Sequence, residues 1–254
     1  MSLAGRIILI AAIVPVAAAV RANRSTSLMH AAVWAAVAWS GWVVAATTGA
    51  GAASYAALAL TGCTGVAVLG ARRPGAGVWN FVVLGLLVVL LLPLAEAAAL
   101  DTPLRPGAIR TAFLSVLLGT TVMNYLPTRL APAGILVGVG CGWELSRIVN
   151  LGPAAEFVAA YVGLAPWVGW FELWLRPEAP SACDRLWHNF RDRYGLGWGQ
   201  RVREQFNRAA SNAGLGVTLG WTGLRAADGS RPSCGTGSAA YETLAALLKR
   251  FGVR

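Results

Sequence analysis

The chain has 254 residues, of which 56% are hydrophobic and only 13% charged, and its mean hydropathy is +0.58. A soluble globular domain carries about 25% charged residues, so this composition excludes a single soluble globule, and its apolar content excludes a disordered chain. The net charge of +10 is uneven: residues 1–175 hold nine Arg against five acidic residues, and residues 176–254 hold eleven Arg and the only lysine, Lys249, against six.

Seven apolar segments follow one another, at about 5–21, 28–46, 52–71, 78–98, 108–126, 132–149 and 154–175. A spanning helix needs about 20 mostly apolar residues. The fourth meets this best, since Phe81 to Ala95 contains no charged or strongly polar side chain. The first is the weakest. Its charge-free core runs from Ile7 to Val20, about 21 Å of helix against a hydrocarbon thickness of about 30 Å. Pro15 kinks it further. A secretory signal is the rival reading, with Arg6 as the basic region and Ala17-Ala18-Ala19 as the cleavage site.

The loops set the orientation. Arg21 and Arg24, Arg72 and Arg73, Arg129 and the basic tail all fall on loops of one parity. The other loops are uncharged (47–51), balanced (Glu96, Asp101, Arg105, Arg110) or slightly acidic (Glu144, Arg147, Glu156). The positive-inside rule makes the basic side cytoplasmic. Trp167, Trp170 and Trp174, at i, i+3 and i+7 before Arg176, read as interfacial anchors at that side. Gly134, Gly138 and Gly142 form two overlapping GxxxG steps in the sixth segment. They predict a close helix contact, within the bundle or between copies.

Beyond the bundle, Pro177 and Pro180 mark a linker. A helix is predicted from Ala182, with Leu186, Phe190, Tyr194, Trp198, Val202 and Phe206 as its apolar stripe and arginines on its other faces. Gly195, Gly197 and Gly199 predict a break in it, and Asn212 with Gly214 a stop. Val217, Leu219 and Trp221 alternate as a short strand. Residues 225–238 read as a loop, and a last helix follows over about 238–251. Three roles are open to this tail: packing under the bundle, binding anionic lipid headgroups, or binding another protein. Cys183 and Cys234 lie in it, and a cytoplasmic tail would keep them as reduced thiols. Cys63 and Cys141 fall inside apolar runs and read as packed small residues.

The chemistry is mostly one of exclusions. There is no GK[ST] for a P-loop, no HExxH, no GxSxG and no CxxC, and the two histidines, His30 and His188, lie on different elements. No catalytic residue can be named, and no cofactor or metal is expected. What remains is a polar cluster near the outer span ends: Glu96, Arg110, Glu144, Arg147 and Glu156. Charges at membrane depth are costly and are paired or functional. Glu144 and Arg147, one turn apart on one helix face, are the sharpest site. Asn80, Asn124 and Glu172 are weaker candidates on the inner side. The fold expected is an all-α polytopic membrane protein of the cytoplasmic (inner) type. It comprises a bundle of six or seven transmembrane helices over 1–175 and a small, mostly helical cytoplasmic unit over 176–254. The expected function is a non-enzymatic scaffold or assembly partner. The alternatives are a small-solute or ion transporter using the outer charges, and an enzyme acting on lipid or lipid-linked substrates. Expected partners are the bilayer, another membrane protein or a second copy, and anionic lipid through the tail; nucleic acid is not expected.

Overall fold

A computed structural model describes residues 3–72, 76–149, 157–175 and 179–252. The chain is mostly helical. Four helices are long and apolar enough to cross a membrane: Leu3–Ala22 taken across a break, Met29–Thr48, Gly51–Leu69 and Gly77–Ala99. The first is two pieces, α1 (Leu3–Ala11) and α2 (Ile13–Ala22); then come α3 (Met29–Thr48), α4 (Gly51–Leu69), α5 (Ala76–Ala99), α6 (Ala108–Tyr125), α7 (Ala131–Ile148) and α8 (Val158–Trp174). α6 carries Arg110 in its first turn, α7 carries Glu144 and Arg147, and α8 has 17 residues.

α1 and α2 lie against α8 and α3, α3 against α4, α4 against α6, α6 against α7 and α7 against α8, which closes a ring; α5 packs outside it on α4. The closest approaches are at glycines. A Cβ on Gly65 of α4 would meet Thr121 Oγ1 of α6 at 1.8 Å, and one on Gly163 of α8 would meet the Leu9 backbone at 2.7 Å. Of the GxxxG residues, Gly138 faces Val122 at 2.8 Å and Gly134 faces Tyr125 at 3.6 Å, both on α6, while Gly142 faces nothing within 4 Å. The steps therefore pack α7 on α6 within one chain.

The first segment breaks at Ala12, three residues before Pro15. A proline cannot bond the carbonyl four residues back, and the helix yields just ahead of it. Trp39 of α3 donates its indole N–H to the Leu9 carbonyl at 2.9 Å, so the break leaves that carbonyl paired. The kink expected at Pro15 is thus a break in the helix, placed at Ala12.

The C-terminal unit consists of α9 (Ala182–Asn212), the antiparallel hairpin β1 (Val217–Gly220) and β2 (Gly223–Ala226), and α10 (Ala239–Lys249). Its predicted stripe is its core. Leu186, Phe190, Tyr194, Trp198, Val202 and Phe206 are buried, and Phe251 meets the rings of Phe190, Tyr194 and Trp198 at 4.9, 5.1 and 5.2 Å. Ser181 caps α9 by accepting the Asp184 N–H, and Ser238 caps α10 by accepting that of Tyr241. Three details differ from the sequence reading. β2 occupies part of the expected 225–238 loop, because the turn at Trp221 and Thr222 folds it back on β1. Arg191, expected on a solvated face, is buried and donates to Asp192 Oδ1 at 2.7 and 2.9 Å and to the Trp221 carbonyl at 2.8 Å. Cys183 and Cys234 are joined as a disulfide with Cα atoms 5.7 Å apart, which corrects the expectation of two reduced thiols. The pairing brings the first turn of α9 to the loop before α10, where Ala182 N also donates to the Cys234 carbonyl at 3.0 Å.

Candidate functional site

The C-terminal unit is bolted to one end of the bundle, formed by residues 23–28, 70–72 and 124–130. These are the loops on which the basic residues fall. A set of polar contacts carries the junction. Asn124, at the end of α6, inserts into α9 where Gly195 has φ +76° and interrupts the helix. Its amide donates to the Tyr194 carbonyl at 3.4 Å and accepts the Gly197 N–H at 3.0 Å, so the break in α9 is satisfied from the bundle. Trp198 donates to the Val68 carbonyl at 3.1 Å, and Trp221 to that of Pro127 at 2.6 Å. Ser27 donates to the Ala71 carbonyl at 2.8 Å and lies 3.0 Å from Tyr194 Oη, which donates to the Phe251 carbonyl at 2.9 Å. Beside them, buried Asp192 sits between Arg191 and Arg129, the latter 3.8 Å away.

Within the unit, His188 donates from Nε2 to the Thr222 carbonyl at 3.1 Å. Burial and then the nearby Arg191 charge push its pKa below the ordinary value of 6.5. The imidazole is therefore held neutral, and the carbonyl requires it as a donor.

The expected polar cluster resolves into two separate pairs at the opposite, far end. Arg110 grips Glu96 with both guanidinium nitrogens, the second at 2.7 Å, and the two side chains are 42% and 51% exposed. Arg147 grips Glu144 in the same bidentate manner, with Nε at 3.0 Å from Oε2. Here Glu144 is buried at 4% exposure while Arg147 reaches the surface. Arg147 lines a far-end cleft of about 750 Å³ with Ala50, Gly51, Leu94, Ala97 and Leu104 among its walls. Neither Glu96 nor Arg110 does. Glu156 lies outside the described residues. Each described carboxylate of the cluster is thus neutralised by its own arginine, so these four residues form no shared acid–base centre.

Asn80 bonds His30 Nδ1 at 2.8 Å and accepts from Trp34 at 3.3 Å, an inter-helix bond of the kind expected of span amides. Trp170 and Trp174 are exposed at the docked end of α8, and Trp167 meets Trp170 edge-on at 5.8 Å. Among the described residues no group of three or more His, Cys, Asp or Glu could hold a metal ion.

A feature with no signal in the sequence lies inside the ring. A cleft of about 630 Å³ is walled by α2, α3, α4, α6, α7 and α8, with Trp39, Trp42, Val137, Val162, Pro166 and Trp170 prominent in its apolar lining. Many of its wall residues are Ala or Gly, and their small side chains leave the space. Comparison of the chain with protein-family models, curated proteins and solved structures gives no match, so the site stands on its own geometry.

Proposed function

We propose that the chain is a seven-span protein of a cytoplasmic-type membrane with its C-terminal unit on the cytoplasmic side, and that it works as a non-enzymatic scaffold or assembly partner. The span count is supported by eight helical pieces whose short connections alternate between two ends. Leu9 and Ala12 are fully buried in the bundle, which favours a retained first span over a cleaved signal. The orientation is supported by the basic loops and the basic unit gathering at one end; the Cys183–Cys234 disulfide, a bond that a reducing cytoplasm does not favour, opposes it.

The observation that carries the functional reading is the pairing of Glu96 with Arg110 and of Glu144 with Arg147. A transporter or lipid enzyme built on this cluster needs its charges free to bind or exchange protons inside a cavity. Instead they close on one another, and the C-terminal unit is held rigidly for presentation to a partner. Native mass spectrometry of the protein gently extracted from its own membrane tests this. A stoichiometric second polypeptide is the expected result. A lone chain that moves a solute or turns over a lipid when reconstituted would overturn it.

A further inference from the structure

We infer that the cleft inside the ring binds one hydrocarbon chain of an anionic phospholipid drawn from the leaflet at the docked end. The inference rests on the membrane reading and not on the scaffold reading; it holds or fails whether or not a partner protein exists.

The cleft owes its opening to the break at Ala12. Up to the break α1 lies tightly along α8; beyond it α2 touches α8 only lightly. The gap between α2 and α8 is bordered by exposed Ala19 and Ala22 on one side and exposed Trp170 and Trp174 on the other. On the membrane reading that gap opens to the bilayer, so a chain can enter sideways.

The interior asks for hydrocarbon. Thr61, Thr64 and Thr121 return their hydroxyl protons to the carbonyls of Ala57, Leu60 and Leu117 at 2.8, 3.0 and 2.8 Å. Trp42 donates to Thr61 and Trp39 to Leu9. No donor on these polar wall residues is left seeking water or a polar ligand. Empty space of this size is foreign to packed interiors, and the volume lies within the range of about 300–1,000 Å³ usual for ligand sites.

The headgroup preference comes from charge. Arg193 of α9 lines the docked end of the cleft beside Asn23 and Tyr125. Exposed Arg21 and Arg24 stand at the same end of the bundle, at the end of α2 and just past it, outside the cleft wall. Among the described residues no acidic side chain lines the cleft; Glu172 stands on α8 but not on the wall. Basic residues gathered at the docked end and a bore of tryptophan, valine and alanine fit an anionic amphiphile with its chain inward.

The test is to hold the protein in nanodiscs of phosphatidylcholine and phosphatidylglycerol, strip it with detergent, and count retained lipids by native mass spectrometry. The wild type is expected to keep one phosphatidylglycerol. Ala165→Phe, which fills the cleft, is expected to lower retention at least tenfold, and Ala133→Leu, a second filler, guards against misfolding of the first; a melting curve accompanies each. Arg193→Gln is expected to keep a lipid but lose the preference for phosphatidylglycerol. A wild type that retains no lipid, fillers that fold and retain it undiminished, or a headgroup preference indifferent to Arg193 would each overturn the inference.

Discussion

Gly195→Ala is expected to detach the C-terminal unit from the bundle. At φ +76° and ψ −166° Gly195 occupies a region that is open almost to glycine alone. The new Cβ would also stand 2.1 Å from Asn124 Nδ2 and 2.7 Å from the Asn124 backbone oxygen. The first can rotate away; the second belongs to the end of α6 and cannot. Backbone strain of this kind costs about 1–3 kcal/mol. Expelling the Asn124 amide leaves the Tyr194 carbonyl and the Gly197 N–H unpaired in a largely buried junction, at about 1–3 kcal/mol each. Together these reach about 3–9 kcal/mol, against about 5–15 kcal/mol for a whole domain. Limited trypsin digestion in nanodiscs reads the outcome. The wild type should resist cleavage at Arg191 and Arg193, while G195A is cut there with the bundle intact. Gly214→Ala is the control: its φ is also positive, at +62°, but its Cβ meets nothing within 4 Å. Pairing G195A with Asn124→Ala should be less damaging than the two single effects added, because they remove one shared contact. Protection of G195A equal to the wild type, or strict additivity in the double variant, would refute the interlock.

The remaining expectations are brief. Arg147→Met should destabilise more than Glu144→Gln in thermal melts, by about 3–5 kcal/mol for the former, since it strands a buried carboxylate while the reverse change leaves an arginine able to reach water; equal effects would contradict the burial argument. Gly138→Leu should disrupt the α6–α7 contact, whereas Gly142→Ala should be neutral or stabilise by about 0.5–1 kcal/mol; the opposite order would mean that Gly142 faces a partner. His188 has a depressed pKa, so the unfolded chain takes up its proton first as the pH falls below about 6.5. Stability attributable to His188 is therefore whole above that pH and is lost on acidification, and His188→Gln should flatten the slope of melting temperature against pH between about 7 and 5. An unchanged slope would show that the imidazole is free to charge in the folded state.

The helices were legible because hydrophobic runs and loop arginines are local signals. The elements at 28–46, 52–71, 78–98, 108–126 and 132–149 are found with shifts of one or two residues. The stripe from Leu186 to Phe206 and the break at Gly195 were legible for the same reason: helical period and glycine's backbone freedom are written along the chain. Legibility failed where the cause lies across the fold. Nothing near Gly65 or Gly163 distinguishes them from other span glycines, yet Thr121 and Leu9 make them the tight crossings. Glu144 and Arg147 were read as a pair because they are neighbours in one helix. Glu96 and Arg110 are 14 residues apart, and only the fold shows that they close on each other. The Cys183–Cys234 bond spans 51 residues and depends on how α10 returns to α9. The cleft had no sequence signal, since an absence of side-chain volume shows only when six walls are assembled.

The central claim is that the C-terminal unit and the basic loops share the cytoplasmic side. Single cysteines placed in a cysteine-free chain and probed with a membrane-impermeant maleimide on intact cells test it most directly. A cysteine replacing exposed Asp101 at the far end should label, whereas cysteines replacing exposed Arg24 and Asp228 at the docked end should label only after the membrane is opened. Labelling at Asp228 in intact cells would place the unit and its disulfide in the oxidising compartment and contradict the account.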